Sequence, residues 1–396
     1  MIYLDNAATT PMDPEVIAVV HESMRRDFAN SGTVYSLGLD AKKRIEEAED
    51  RIRGSLSIPP GFKIIFTSGG SESNNLFIKG YGLPDKKVAG LGLEHPSVAQ
   101  TLEAFRESGN EPVSMLPCQK EGRLDVSSLS QLKSQKVRLL CLSHVNNELG
   151  SVNDPVLLLP ALSEQSPQTR LFLDGVQAVG KLKRSPGMWP GLAGYSISGH
   201  KINGPKGIGL LIVDGKLGLK PQIHGGQHQH RLRAGTLPVP LIIGLAHAIQ
   251  RSIDKTDETV KNNQRLFQQL VDGLKNLADR IPDLDLHFNS SLSEDLSRQS
   301  PAIANFRFAP VEAEVMLHHL EEKEIYVGLG SACSAHSKEP SKILTGIGLT
   351  REEARCSLRI SFGPQNTVSD VDAFLEAFGQ AYRQLFSTFN RKTASS

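Results

Sequence analysis

The chain has 396 residues, 39% of them hydrophobic and 22% charged, which is the composition of a globular protein with a buried core rather than of a disordered chain. Lysine and arginine number 44 against 43 aspartates and glutamates, so a net charge of +1 gives no bulk attraction to nucleic acid or membrane, and a small neutral or zwitterionic substrate fits better. Cys118, Cys141, Cys333 and Cys356 share no C-x-x-C spacing, which argues against a zinc site and a disulfide framework.

In chain order, Met1 to Asn6 lacks a basic region followed by an apolar run, and the most apolar stretch, near Leu237 to Ile249, is broken by Pro238 and Pro240; a cytoplasmic protein without a membrane span is expected. Asp13 followed by Pro14 starts a helix as a cap and a first-turn proline. Ala41, Ile45, Ala48, Ile52 and Leu56 recur at helical spacing with charges between them. From about residue 63 to 213, short apolar runs alternate with helix-length segments, the pattern of parallel strands joined by helical crossovers. Strands are expected at Ile64–Thr67, Val88–Leu91, Val113–Leu116, Leu139–Ser143, Leu171–Asp174, Tyr195–Ser198 and Gly209–Val213. The fold class is therefore α/β, with a mostly parallel seven-stranded sheet in a large domain. After about residue 255 the order changes to a long polar helix, strands at Leu284–Asn289 and Ala302–Phe308, a helix from Val311, a strand near Ile325 and a final helix, which reads as a smaller α+β domain. The expected division is 15–255 for the large domain and 1–14 plus 256–396 for the small one, with Arg391 to Ser396 as a frayed tail.

The chemistry-bearing residues collect at strand ends. Ser198-Gly199-His200-Lys201 precedes the turn Asn203-Gly204-Pro205-Lys206-Gly207, which places Lys201 on a loop among small residues. A lysine there can form a Schiff base with an aldehyde if burial or neighbouring cations lower its pKa; a lone loop lysine is otherwise a solvated charge. Asp174 ends a strongly apolar strand, where a carboxylate can face a pyridinium nitrogen or simply cap a loop, and Gln177 follows within reach of the same place. Thr67-Ser68-Gly69-Gly70-Ser71-Glu72-Ser73 runs from strand into helix and can cradle a phosphate, although such turns are common. His95 lies just past a strand, where it either stacks on an aromatic cofactor or is structural, and His144 to Gly150 brings the amides Asn146 and Asn147 to another strand end. Several strand ends thus point polar groups toward one edge of the sheet. Cys333, in the run Gly328 to His336 of small residues, has the surroundings of a reactive thiol, whereas the other cysteines read as buried free thiols. Arg359, in a short strand, can grip a carboxylate or lie at a strand edge.

These residues resemble the class V, fold type I pyridoxal-phosphate enzymes, and within them the cysteine desulfurases of the NifS/IscS type. The resemblance covers nearly the whole chain through six ordered motifs: Tyr3 to Pro11, Thr67 to Asn75, His144 to Gly150, Ser198 to Gly207, Arg233 to Thr236 and Gly330 to Ser334. It implies pyridoxal 5'-phosphate as cofactor, bound covalently by Lys201, with His95 stacked on its ring, Asp174 at the ring nitrogen and Gln177 at the phenolic oxygen. Gly70, Ser71, Ser198 and His200 would bind the phosphate, with Asn147 beside the cofactor. Thr236 would reach the phosphate of the neighbouring subunit in a homodimer. Asn30, Asn147 and Arg359 would hold the substrate carboxylate. Cys333 would take sulfur from L-cysteine as a persulfide, leaving alanine, for a sulfur-acceptor protein such as an iron–sulfur scaffold or tRNA-thiolation relay, and Lys201 and His95 would carry protons. No nucleic acid or membrane is implied as a direct partner.

The sequence departs from the family pattern in three places. Asn30-Ser31-Gly32-Thr33 lacks the proline of a more usual Asn-Pro-x-Ser, His228-Gln229-His230-Arg231 has an amide where a glutamate is usual, and His336 is an unusual neighbour of the cysteine. A selenocysteine lyase, an aminotransferase or β-eliminating enzyme, and a non-catalytic scaffold for sulfur acceptors remain as rival readings.

Overall fold

The computed structural model describes all residues except 82–86, 108–113, 184–188, 330–338 and 394–396. A short strand β1 (Ile2–Tyr3) leads to α1 (Pro14–Arg26) and α2 (Ser36–Leu56), and the alternating part follows as β2 (Phe62–Thr67), α3 (Gly70–Tyr81), β3 (Lys87–Leu91), α4 (Pro96–Glu107), β4 (Ser114–Leu116), α5 (Ser130–Ser134), β5 (Val137–Ser143), α6 (Pro155–Gln165), β6 (Arg170–Asp174), β7 (Leu192–Ser198) and β8 (Gly209–Asp214). Then come α7 (Val239–Asp254), α8 (Thr256–Arg280), β9 (Asp285–Phe288), β10 (Ile303–Ala309), α9 (Ala313–Glu321), β11 (Ile325–Tyr326), α10 (Lys342–Gly346), α11 (Arg351–Arg355), β12 (Ser357–Ser361) and α12 (Val368–Thr393).

Among the described residues, seven strands form one sheet in the order β2-β8-β7-β6-β5-β3-β4. The neighbours from β7 through β4 pair parallel, whereas β8 is antiparallel to both β7 and β2, so β8 alone runs against the rest. The expectation of a mostly parallel sheet is met. The reversal of β8 has a simple cause: residues 199–208 are too few for the crossover of a dozen or more residues that a parallel return requires. The carboxyl ends of β2, β3, β5, β6 and β7 therefore share one edge.

The central strands β6, β7 and β8 are buried on both faces, as the interior of such a sheet requires. Ile64, Leu140, Leu171, Leu173 and Ile212 pack on the side covered by α1, α2 and α7. The alternating residues Ile65, Leu139, Phe172 and Leu211 pack against α3 and α4 on the other. The buried stripe of α2 consists of Gly38, Ala41, Ile45, Ala48, Ile52 and Leu56, which includes all five apolar positions read from the sequence. The Asp13 carboxylate caps α1 by accepting from the Glu15 N–H at 2.8 Å, with Pro14 in the first turn.

A second sheet, antiparallel in the order β12-β10-β9, packs against α8 and α12 around the rings of Phe306, Phe308, Phe374, Phe378 and Tyr382. Ile2–Tyr3 pair with Ile325–Tyr326, so the N-terminus joins this part of the molecule. The expected tail is corrected in part, because α12 continues to Thr393 and takes in Arg391 and Lys392. No helix among the described residues is long and apolar enough to cross a membrane.

Candidate active site

The shared sheet edge opens on a cavity of about 250 Å³. Gly70, Ser71, His95, Asn147, Asp174, Gln177, Ser198, His200 and Lys201 all line it, together with Ala8, Asn74 and Ser97. Strand order does this assembly: Ser143 is opposite Asp174, Asp174 is opposite Ser196, and Ser198 is two positions further along β7. Residues a hundred positions apart in the chain become neighbours because adjacent parallel strands end together.

Lys201 closes the short 3₁₀ turn Gly199–Lys201 after β7. Its Nζ donates to the carbonyls of Ala7 and Ala8, the latter at 2.7 Å. The N-terminal segment is fixed over the lysine loop by Thr10 N donating to the His200 carbonyl at 2.8 Å and by Asp13 N donating to Asn203 O at 2.9 Å. The motif Tyr3 to Pro11 is thus a strap across the lysine.

Asp174 is buried. Its Oδ2 accepts from Asn74 Nδ2 at 2.8 Å and its Oδ1 from the Val176 N–H at 3.0 Å. His95 Nδ1 lies 2.8 Å from Ser97 Oγ and accepts from the Ser97 N–H at 3.1 Å. Burial, opposed by Asp174 and assisted by Lys201, holds the His95 ring below the usual imidazole range. Just before it, Glu94 is buried and accepts at Oε2 from the N–H and hydroxyl of Ser143, which ties the ends of β3 and β5 together. Burial pushes the Glu94 carboxyl up to about 8, with the charge of Asp174 adding to the rise, so it holds its proton at neutral pH.

Gly70 and Ser71 begin α3, whose N-terminal backbone favours an anion. The turn is tight: a Cβ on Gly70 would lie 2.6 Å from Val176 Cγ2, so only glycine lets the helix start approach the loop after β6. Thr67 Oγ1 donates to the Gly69 carbonyl at 3.0 Å and lies 2.7 Å from Ser73 Oγ, which fixes the turn from inside. Burial and then the cations Lys201, Lys206 and Lys181 push His200 down to about 4, so at neutral pH it is an uncharged ring, 3.0 Å from Thr9 Oγ1.

Gln177 donates from Nε2 to the Ala7 carbonyl at 2.8 Å, and its Oε1 accepts from Lys181 Nζ at 2.8 Å. Lys181 was not singled out in the sequence, although its four-residue spacing from Gln177 was visible. Burial, then Lys201 and Arg359, push it from 10.5 down to about 7. Because the folded value is depressed, the unfolded chain binds a proton between about pH 7 and 10.5 that the folded chain does not, and stability contributed by this site rises with pH across that window. Below the window both states are charged and the burial penalty is full. Lys181→Met is therefore expected to lose roughly 3–5 kcal/mol of this pH dependence. Denaturant unfolding at stepped pH checks it, and parallel wild-type and variant curves would show that the ammonium persists in the fold.

Arg359 is 2% exposed and sits behind the cavity. Its Nη2 donates to Asp5 Oδ1 at 2.7 Å and its Nη1 to the Asn147 carbonyl at 3.0 Å, while the buried Nε has no hydrogen-bond partner. A Cβ on Gly328 would come within 2.8 Å of Nη2 and 2.9 Å of Nε, so that glycine keeps the space beside the guanidinium open. Arg359 is not among the residues that line the cavity, and two further expected site residues stand apart from it in this single chain. Asn30 is exposed and uses its Oδ1 to accept from Gly32 N at 2.9 Å, and Thr236 is exposed. Cys333 and His336 lie outside the described residues. Cys141 and Cys356 are buried free thiols as expected, whereas Cys118 is half-buried.

The Gln229 departure has a structural use. Its amide donates from Nε2 to Phe66 O at 2.9 Å and accepts at Oε1 from Phe66 N at 2.6 Å, completing the backbone of the edge strand β2 as a neighbouring strand would. A carboxylate could make only the second bond. The ion pair in this region is made elsewhere, by Arg233 Nε with Glu72 Oε1 at 2.9 Å.

The donor set fits pyridoxal phosphate. The carboxylate of Asp174 offers an acceptor to a ring N–H, the start of α3 with Ser198 and His200 offers donors to a phosphate, and the amine of Lys201 lines the same cavity. The sequence profile of the Aminotransferase class-V family matches residues 2–374. A protein of Dictyoglomus turgidum named cysteine desulfurase IscS is 32% identical over 388 residues, covering 97% of this chain and 95% of its own. A solved NifS-like protein superposes with a TM-score of 0.86 at 26% identity, over 97% of this chain and all (100%) of the other. The structure described as SspA in complex with cysteine gives a TM-score of 0.76 at 29% identity, over 93% and 100% of the two chains. The chain, its strand-end residues gathered at one cavity, belongs to the class-V aminotransferase family and stands there among relatives named cysteine desulfurase IscS.

Proposed function

We propose that this protein is a pyridoxal 5'-phosphate-dependent cysteine desulfurase that moves the sulfur of L-cysteine onto Cys333. The observation that carries the reading is the meeting of Lys201, Asp174 and His95 at one cavity in a chain with these relatives. Lys201 carries the cofactor through its amine, Asp174 receives the ring N–H, Gln177 serves the phenolic oxygen, and Gly70, Ser71, Ser198 and His200 hold the phosphate, with Asn147 beside the ring. Bound there, pyridoxal phosphate supplies an electron sink for the pair left when the substrate α-proton departs. Arg359 offers its unpartnered Nε to the substrate carboxylate, assisted by Asn147 and Asn30. Thr236, exposed in the single chain, serves the phosphate of the partner subunit in a homodimer. Lys201 takes the α-proton.

The Cys333 thiolate attacks the substrate sulfur, the carbon–sulfur bond breaks, and after protonation L-alanine leaves with Cys333 as a persulfide. The atoms of cysteine and one thiol thus reappear as alanine and one persulfide. A sulfur-acceptor protein, such as an iron–sulfur scaffold, then receives that sulfur. Residues 15–255 act as the large cofactor-binding domain and 1–14 with 256–396 as the small one, a division supported by the β1–β11 pairing and by Leu4 packing among the residues of the second sheet.

Incubating the cofactor-loaded protein with L-cysteine is expected to give alanine and a Cys333 peptide heavier by one sulfur atom, read by mass spectrometry. Alanine without sulfur on that peptide would point to a β-eliminating enzyme and overturn the assignment.

A further inference from the structure

We propose that Asn74 and Ser97 are positioning residues that hold His95 in the tautomer with its proton on Nε2, so that the ring serves as a hydrogen-bond donor and proton transfer falls to Lys201; this rests on the desulfurase reading. The inference follows from counting donors and acceptors. Asn74 Nδ2 carries two hydrogens and makes two bonds, to Asp174 Oδ2 at 2.8 Å and to Ser97 Oγ at 2.9 Å. Ser97 Oγ already accepts from Asn74, so its own hydrogen is free for His95 Nδ1 at 2.8 Å. The Ser97 N–H donates to the same nitrogen at 3.1 Å. Two donors converge on Nδ1, leaving that nitrogen a lone pair and no proton. The neutral ring must then carry hydrogen on Nε2.

The amide orientation of Asn74 supports this. Its side chain is fully buried, and its Oδ1 has no hydrogen-bond partner. Leaving a buried acceptor unmade is costly. Turning the amide over would satisfy nothing at Asp174, whose carboxylate requires a donor there. Asp174 thus sets Asn74, Asn74 sets the hydroxyl of Ser97, and Ser97 sets His95. A ring so held has no lone pair at Nε2, so it cannot take a proton there. Burial, assisted by Lys201 and against the pull of Asp174, also disfavours the doubly protonated ring.

The test is ¹⁵N NMR of the cofactor-loaded enzyme labelled at histidine, with the His95 signals identified by their loss in His95→Asn. The expected wild-type result is a protonated Nε2 and a bare Nδ1. Ser97→Ala leaves only the longer backbone N–H donor on Nδ1 and is expected to raise the share of the other tautomer and lower kcat about tenfold with KM unchanged, and Ser97→Thr to restore both. A wild-type ring protonated on Nδ1, or a Ser97→Ala enzyme with unaltered ring signals and kcat, overturns the proposal. The ring signals are read without turnover, so an enzyme inactive on cysteine overturns the desulfurase reading while the tautomer is still decided.

Discussion

Lys201→Ala is expected to remove the yellow colour of lysine-bound pyridoxal phosphate and to lower alanine production by at least about a thousandfold, equivalent to about 4 kcal/mol at the barrier. The amine of Lys201 lines the cavity with Asp174 and His95, and among the described residues Lys181 is the other lysine buried beside it. Lys181 cannot stand in, because its Nζ is committed to Gln177 Oε1. The loss is chemical rather than structural. Lys201 contributes two hydrogen bonds to the Ala7 and Ala8 carbonyls, whereas the strap remains tied to the lysine loop through Thr10, Asp13 and Asn203. Stability is therefore expected to fall by no more than about 1–3 kcal/mol. Absorption spectra, alanine quantitation and denaturant unfolding on one preparation separate the two effects. A variant that keeps both the colour and the turnover would remove Lys201 from the centre of the reaction.

Much of this site was legible before any fold was known, because parallel strands buried on both faces write themselves as apolar runs and their ends are where polarity returns. Leu171-Phe172-Leu173-Asp174 is such a run, and Asp174 stands where it stops. The same logic found His95, Asn147 and Ser198. It did not find the direction of β8, since an apolar run reads alike in either direction and only the brevity of 199–208 decides. It also passed over side chains whose meaning depends on distant partners. Lys181 carries no local signal and gains its meaning only where Gln177, Lys201 and Arg359 close around it, and Asn74 and Ser97 acquire their roles only when α3, α4 and β6 meet. The Gln229 amide, noted as a missing carboxylate, became intelligible only beside the edge of β2. Resemblance supplied what periodicity could not, above all the N-terminal strap, whose contacts with Lys201 and Asn203 span some 190 residues of sequence.

Asp174→Asn should leave the colour in place and lower kcat/KM by about a hundredfold to a thousandfold, equivalent to about 3–4 kcal/mol at the barrier. The substitution preserves shape, so the effect reports charge and proton bookkeeping. As a carboxylate, Asp174 accepts on both oxygens, from Asn74 Nδ2 and from the Val176 N–H, with Ser196 Oγ 3.5 Å from Oδ1. An amide has one acceptor. If that oxygen keeps the Val176 bond, the new NH₂ confronts the NH₂ of Asn74, donor against donor. If it turns toward Asn74, the Val176 N–H loses its acceptor instead. Either arrangement costs about 1–3 kcal/mol of stability. Neither can hold a proton on a ring nitrogen as a carboxylate does, whereas the amine of Lys201 is untouched and the coloured linkage persists. The two lesions thus separate: Lys201→Ala loses colour and turnover together, and Asp174→Asn loses turnover alone. Steady-state kinetics and absorption spectra on the paired variants distinguish them, and an Asp174→Asn enzyme within about tenfold of wild type would show that the ring nitrogen draws nothing from this carboxylate.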